Sequence, residues 1–111
     1  DCAAGDPFVA LATARSSTVV TGSGWADVDL TQTTGGSPLA KLPLDPTNSA
    51  TYFYAYKGGG STANTFELDT RLESTKYRDQ MTTDGGNRNT CTTYTEATCY
   101  YEIGTDPGLD L

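Results

Sequence analysis

The strongest structural signal in the sequence is TYFYAYK (51–57), followed by GGGSTA (58–63) and NTFELDTRLES (64–74). Two runs rich in aromatic, β-branched and leucine residues flank a loop of glycine and other small residues. Strand-forming runs on either side of such a loop are typical of a β-hairpin. The sequence therefore predicts two antiparallel strands here.

The second run alternates apolar and charged side chains with a period of two, which indicates a strand with two different faces. Phe66, Leu68 and Leu72 fall on one face and predict the side that packs on a core. The other face carries Glu67, Asp69, Arg71 and Glu73. Because these charges alternate regularly with apolar residues, we expect that face to meet water. In the first run the pattern favours neither face.

Further elements are predicted on both sides of the hairpin. YYEIGTD (100–106) indicates a last strand in the same sheet, and 75–81 a helical turn that stops at Asp84 and the two glycines after it. Residues 6–14 favour a short helix with Asp6 as its N-cap, although a strand fits nearly as well.

WADVDL (25–30) also alternates, so a strand is expected there, with Trp25 at an edge of the sheet. Three prolines within residues 38–46 exclude regular structure and predict an extended, stiff connection. We expect its three leucines to pack onto the domain, because exposed leucines in a loop promote aggregation. They are Leu39, Leu42 and Leu44.

These elements together predict an α+β fold, with an antiparallel sheet of three or four strands and an extended proline-containing loop packed on it. A chain of 111 residues is too short for two separate cores, so residues 1–111 are expected to form one domain. The chain begins Asp1-Cys2 without Met, and we expect that an upstream part has been removed.

The charge balance argues against several partners. The formal net charge is -7, and the seven Lys and Arg residues form no cluster, so phosphate backbones and anionic lipid surfaces are disfavoured. No run approaches the roughly 20 apolar residues that a membrane-spanning helix needs. We therefore expect neither nucleic-acid binding nor membrane contact from this domain.

The three cysteines favour one local disulfide. Cys91 and Cys99 enclose seven residues, and the smallest loop has the lowest closure cost, which leaves Cys2 as the odd one. Three free thiols in a reducing compartment are the alternative. A zinc site is disfavoured because the chain has no His.

The absence of His also excludes Ser-His-Asp and Cys-His nucleophiles. Glu67, Asp69 and Glu73 offer carboxylates for glycoside cleavage, but a solvated strand face explains them better. The chain is therefore expected not to be an enzyme.

Two features are compatible with ligand binding. The stripe Tyr52, Tyr54 and Tyr56, with Trp25, offers flat rings for stacking sugars, although core packing or a subunit contact explains it equally well. The second feature is the loop DGGNRN (84–89).

Asp84, Asn87 and Asn89 in this loop are candidate oxygen ligands for calcium, and no other cofactor is expected. Three side chains are too few for this ion, and backbone carbonyls or other aspartates would have to complete the shell. EF-hand spacing is absent, and a Gly-Asn turn explains the loop without any ion.

The order of several motifs resembles the globular heads of bacterial type IV pilin-like proteins and type II secretion pseudopilins. The most telling parts are LPLDP before an aromatic strand and the closing YEIGTD. The resemblance spans GWADVDL (24–30), GSPLAKLPLDP (36–46), TYFYAY (51–56), FELDTRLES (66–74), DGG (84–86) and YEIGTD (101–106).

The resemblance implies a structural subunit of an extracellular filament on the bacterial surface, made as a precursor anchored in the inner membrane. Its partners would be other pilin subunits and its own N-terminal hydrophobic helix. In such heads the sheet packs on that helix, so Phe66, Leu68 and Leu72 are the candidate assembly face. The runner-up is a secreted module that binds carbohydrate or calcium. Neither the residues nor the resemblance selects among adhesion, twitching, DNA uptake and secretion.

Overall fold

A computed structural model of the chain describes residues 16–60 and 64–110. Within them lies one sheet with strand order β1-β2-β3, in which both pairs are antiparallel. The strands are β1 Ala55–Gly58, β2 Phe66–Thr70 and β3 Tyr101–Gly104, and 3₁₀ helices span Leu30–Gln32 and Arg78–Thr82. A three-stranded antiparallel sheet with little helix is thus present. The helix expected over 6–14 and Cys2 lie outside the described residues.

The predicted hairpin is confirmed as β1 and β2, and the predicted last strand as β3. Tyr56 pairs with Leu68, and Leu68 pairs with Ile103 on the other side. Just beyond β3 the backbone N–H groups of Thr105 and Asp106 both donate to the carbonyl of Phe66, at 2.9 and 3.3 Å. β2 is therefore the central strand and holds the sheet together.

The strand expected over 25–30 is wrong. Trp25 and Ala26 are both buried although they are consecutive, and they form a core cluster with Leu42. The Trp25 backbone N–H donates to the carbonyl of Ser17 at 2.9 Å, and its indole Nε1 donates to that of Pro43 at 2.6 Å. Tertiary packing of the indole thus overrides the alternating pattern, and Trp25 is a core residue.

The proline segment follows an irregular path, but the packing prediction for its leucines is only partly right. Leu42 is buried against Trp25, and its N–H donates to the carbonyl of Thr18 at 2.8 Å. Leu39 and Leu44 are exposed. One leucine is held by the backbone bond to Thr18, and its neighbours in the extended segment then point away from the core.

The helical turn expected over 75–81 is present as the 3₁₀ helix Arg78–Thr82. It is anchored by Met81, which is fully buried and accepts a bond from the Leu72 N–H at its Sδ, 3.3 Å away. The disulfide Cys91–Cys99 closes the next loop, and Cys99 is fully buried. Nowhere in 16–60 or 64–110 is there a helix of the length and apolarity needed to cross a bilayer.

Gly24 gives a test of the Trp25 cluster, because a Cβ there would overlap the Val19 carbonyl oxygen and the Leu42 side chain. We expect Gly24→Ala to lower the free energy of unfolding by about 1–3 kcal/mol, measured by urea denaturation. The matched control is Gly58→Ala, whose Cβ would find Tyr56 Oη at an ordinary 3.6 Å. Equal stability of the two variants would contradict this packing.

Candidate functional site

The charged face of β2 is buried, so the predicted wet face is wrong. Glu67 and Asp69 are each 1% exposed and Arg71, just after the strand, is 5% exposed, whereas Phe66 on the opposite face is 39% exposed. The alternation in the sequence is real, but it identifies the two faces without stating which one points inward.

Arg71 supplies the physical reason for this orientation. Its guanidinium donates to the carbonyls of Thr51 at 2.6 Å, Glu96 at 2.6 Å and Cys99 at 3.3 Å. It also lies over the Tyr100 ring, 4.7 Å from the centroid. A planar group with five donors satisfies several buried carbonyls at once, which a solvent-facing position would forgo. Asp69 and Glu67, which lie on the same face of the strand, are buried together with Arg71.

Glu67 and Asp69 of β2 meet Glu102 of β3 on this buried face. Asp69 and Glu102 are direct partners in the strand register, and Glu102 is fully buried. One carboxylate oxygen from each of the three residues lies within 4.8 Å of the others. We call these three residues the carboxylate cluster.

Few hydrogen bonds reach the carboxylate cluster. Glu102 Oε2 accepts from the Arg88 backbone N–H at 2.8 Å, and Arg88 Nε lies 3.9 Å from Asp69 Oδ2 as an ion pair. Both carboxyl oxygens of Asp69 and Oε1 of Glu102 are buried without a hydrogen-bonding N–H or hydroxyl in the described part of the chain. Unsatisfied buried oxygens are costly when charged.

Burial and mutual repulsion change the acidity of two members of the cluster. Burial, followed by the neighbouring charges of Glu67 and Glu102, raises the pKa of Asp69 to about 9, against the opposing effect of Arg88. Burial raises the pKa of Glu102 to about 7, and the bond from Arg88 N–H works against that rise. Near neutral pH the cluster therefore holds protons unless another positive charge replaces them.

The loop residues predicted to bind calcium lie beside the carboxylate cluster and make hydrogen bonds within the loop or to β3. Asp84 accepts bonds from the N–H groups of Gly86 at 3.1 Å and Glu102 at 2.9 Å. Asn89 Nδ2 donates to the carbonyl of Gly86 at 2.6 Å, and Asn87 is exposed. Asp84 thus ties the loop to β3, while the carboxylates that converge come from the strands.

The opposite face of the sheet carries an apolar groove of about 290 Å³. Leu68 and Leu72 of the predicted assembly face line it, whereas Phe66 lies outside it and stacks on Tyr56 with ring centroids 6.3 Å apart. The residues that line the apolar groove are Trp25, Pro43, Tyr54, Leu68, Thr70, Leu72, Tyr101 and Ile103.

The tyrosine stripe is divided among different surroundings. Tyr54 lines the apolar groove and lies 6.0 Å from Trp25 between ring centroids, Tyr56 stacks on Phe66, and Tyr52 lines a small cavity with Tyr94. The rings pack mainly on one another. Within the described residues, the three tyrosines do not form a single flat platform on which a sugar could stack.

Comparison with protein-family models, curated proteins and solved structures gave no match.

The raised pKa values of Asp69 and Glu102 predict how stability depends on pH. For Asp69 and Glu102 the folded pKa lies above the unfolded one, so the stabilisation is complete below about pH 4. It is lost as pH rises toward about 7 for Glu102 and about 9 for Asp69. In chelator, the thermal midpoint should fall between pH 5 and pH 9, each group contributing at most about 1.4 kcal/mol per pH unit.

Asp69→Asn should flatten this fall, because the amide is neutral at every pH. Glu73→Gln, an exposed change on the same chain segment, should leave it intact. A wild-type midpoint that rises steadily from pH 5 to pH 9 would contradict the buried, protonated cluster.

Proposed function

We propose that this chain is the globular head of a pilin or pseudopilin-like structural subunit of an extracellular type IV pilus-like filament. The head acts by packing and performs no reaction of its own. Its α+β fold is completed when the apolar groove of the sheet rests on an N-terminal α-helix. The single observation that supports this proposal is the apolar groove.

The apolar groove resembles a surface that packs against another structural element. Ile103 is 44% exposed at its floor although it is the register partner of Leu68. The carboxylate cluster lies on the buried face of the sheet. On the groove face Tyr54 and Leu68 pack partly against the Trp25 cluster, while Pro43 and Ile103 are exposed. An exposed isoleucine that lines an apolar groove is a side chain that a packing helix would cover favourably.

The position of the described N-terminus favours a helix of the same chain as occupant. Ser17 is hydrogen-bonded to Trp25 and Thr18 to Leu42, and Trp25 lines the apolar groove. Ser17 is therefore held beside a residue that lines the groove. An amphipathic or apolar helix is the common element that covers one sheet face, so the N-terminal helix that the resemblance implies is the proposed occupant.

The disulfide Cys91–Cys99 supports the proposed extracellular location, because such bonds persist in oxidising compartments. The net charge of -7 suits an exposed filament surface and disfavours contact of this domain with anionic lipid. Other subunits and the N-terminal helix are thus the proposed partners.

Ile103→Asp tests the proposal in a host that assembles the filament from the gene with its native upstream sequence. A charge buried in an apolar contact is costly, so we expect at least a tenfold loss of subunit from sheared filaments. The isolated head should keep its stability within about 0.5 kcal/mol, since Ile103 is largely exposed there.

Leu39→Asp is the matched control, because Leu39 is 45% exposed and is not among the residues of the apolar groove. It should assemble normally. Normal assembly of Ile103→Asp would overturn the proposal, as would an isolated head that dimerises through this groove in sedimentation experiments. The upstream sequence gives a second readout: a short charged leader ending in Gly before an apolar helix is expected, and an ordinary secretory signal would contradict it.

A further inference from the structure

We propose that the carboxylate cluster of Glu67, Asp69 and Glu102 is a binding site for a hard divalent cation, and that Ca²⁺ fits it best. This site differs from the loop set Asp84, Asn87 and Asn89. It does not depend on the filament proposal, because it lies on the other face of the sheet from the apolar groove.

The spacing of the oxygens matches a calcium ion. Ca²⁺ binds oxygen at about 2.3–2.6 Å, so two ligands on opposite sides of the ion are about 4.6–5.2 Å apart. In the carboxylate cluster one oxygen from each residue lies within 4.8 Å of the others. A single ion can therefore contact all three side chains with little movement, and carboxylates that bind through both oxygens supply up to six ligands.

The unsatisfied oxygens are the second observation. Asp69 is 1% exposed and Glu102 is fully buried, so both side chains are more than nine-tenths buried. Both oxygens of Asp69 and Oε1 of Glu102 nevertheless accept no hydrogen bond from an N–H or hydroxyl in 16–60 and 64–110, and the contact of Asp69 with Glu67 joins two carboxyl groups. Native proteins satisfy such atoms with a donor, water or an ion. Acceptor-only oxygens that converge are the ligands that a hard cation selects.

The negative charge of the carboxylate cluster also favours a bound cation. Three carboxylates converge, and Arg88 is the cation that faces Asp69. Asp84 lies beside them and accepts a hydrogen bond from the Glu102 N–H. Arg71, on the same face, commits its donors to three carbonyls. The three ionised carboxylates of the cluster and Arg88 together carry two negative charges, which one divalent ion balances.

The loop formed by residues 84–89 covers the carboxylate cluster. A Cβ at Gly86 would overlap the carboxyl group of Glu102, and the Arg88 N–H binds Glu102 Oε2. The loop thus rests directly on the ligand Glu102 and is pinned by Asp84. An ion bound to the cluster would fasten this loop to the sheet and stabilise the C-terminal third of the domain.

The test uses the disulfide-bonded chain, freed of metal by chelator and held at pH 8, with CaCl₂, MgCl₂ and MnCl₂ as separate probes. With 5 mM CaCl₂ we expect the thermal midpoint to rise by roughly 5 °C, as for a site of submillimolar to millimolar affinity. Asp69→Asn and Glu102→Gln should each lose more than half of that rise. Both should fold in chelator, because each replaces a buried acid by a neutral group of the same shape.

Two variants serve as controls. Glu73→Gln changes an exposed carboxylate next to β2, and Asp106→Asn changes an acidic group in the C-terminal loop. Both should keep the full rise. A wild-type midpoint that none of the three cations moves would overturn the proposal, and so would a rise that survives in Asp69→Asn and Glu102→Gln or disappears in Asp106→Asn.

A direct readout avoids any dependence on the variants. Carboxyl ¹³C resonances of Glu67, Asp69 and Glu102 in the wild-type chain should shift together on addition of CaCl₂, with a stoichiometry of one ion. Shifts confined to other carboxylates would equally overturn the proposal.

Discussion

The buried guanidinium of Arg71 is the interaction on which the rest of the structure depends. It joins three carbonyls from separate parts of the chain, Thr51 before β1 and Glu96 and Cys99 in the disulfide loop. Hydrogen bonds from a charged group to buried carbonyls are stronger than neutral ones. Arg71 thereby decides which face of the central strand points inward, and the disulfide keeps two of its acceptors in place.

Both faces of the sheet follow from that decision. Since side chains alternate along β2, an inward Arg71 brings Asp69 and Glu67 inward and turns Leu68 and Leu72 toward the apolar groove. The inner face becomes an acidic cluster with unsatisfied oxygens. The outer face packs in part against Trp25 and leaves Ile103 exposed in the apolar groove. The domain thus pairs a proposed cation site with a proposed assembly surface, back to back on one strand.

Local patterns predicted the elements well. The hairpin, the last strand, the helical turn near Met81 and the Cys91–Cys99 disulfide all follow from spacing, turn residues and loop length, which act over a few residues. The strand over WADVDL failed because burial of the Trp25 indole depends on Ser17 and Pro43, which the local pattern does not contain. The prediction that Leu39 and Leu44 pack onto the domain was wrong for a similar reason, because their burial depends on contacts outside the local sequence.

The candidate site was harder to predict. The alternation in FELDTRLES separates the two faces, but the acceptors of Arg71 lie 20, 25 and 28 residues away, so the inward face depends on tertiary contacts. One signal was present: Asp69 and Glu102 each lie in a predicted strand, and adjacent strands bring acidic residues together. The loop residue Asp84, predicted as a calcium ligand, lies beside the cluster through its bond to the Glu102 N–H.

The burial of the charged face of β2 is best measured by carboxyl footprinting of the native chain with a carbodiimide and an amine, read by mass spectrometry. Glu67, Asp69 and Glu102 should remain unmodified while Glu73, exposed at the end of the same segment, is labelled. If Glu67 and Asp69 were labelled as fast as Glu73, the charged face would be open to water and this account of the fold would be wrong.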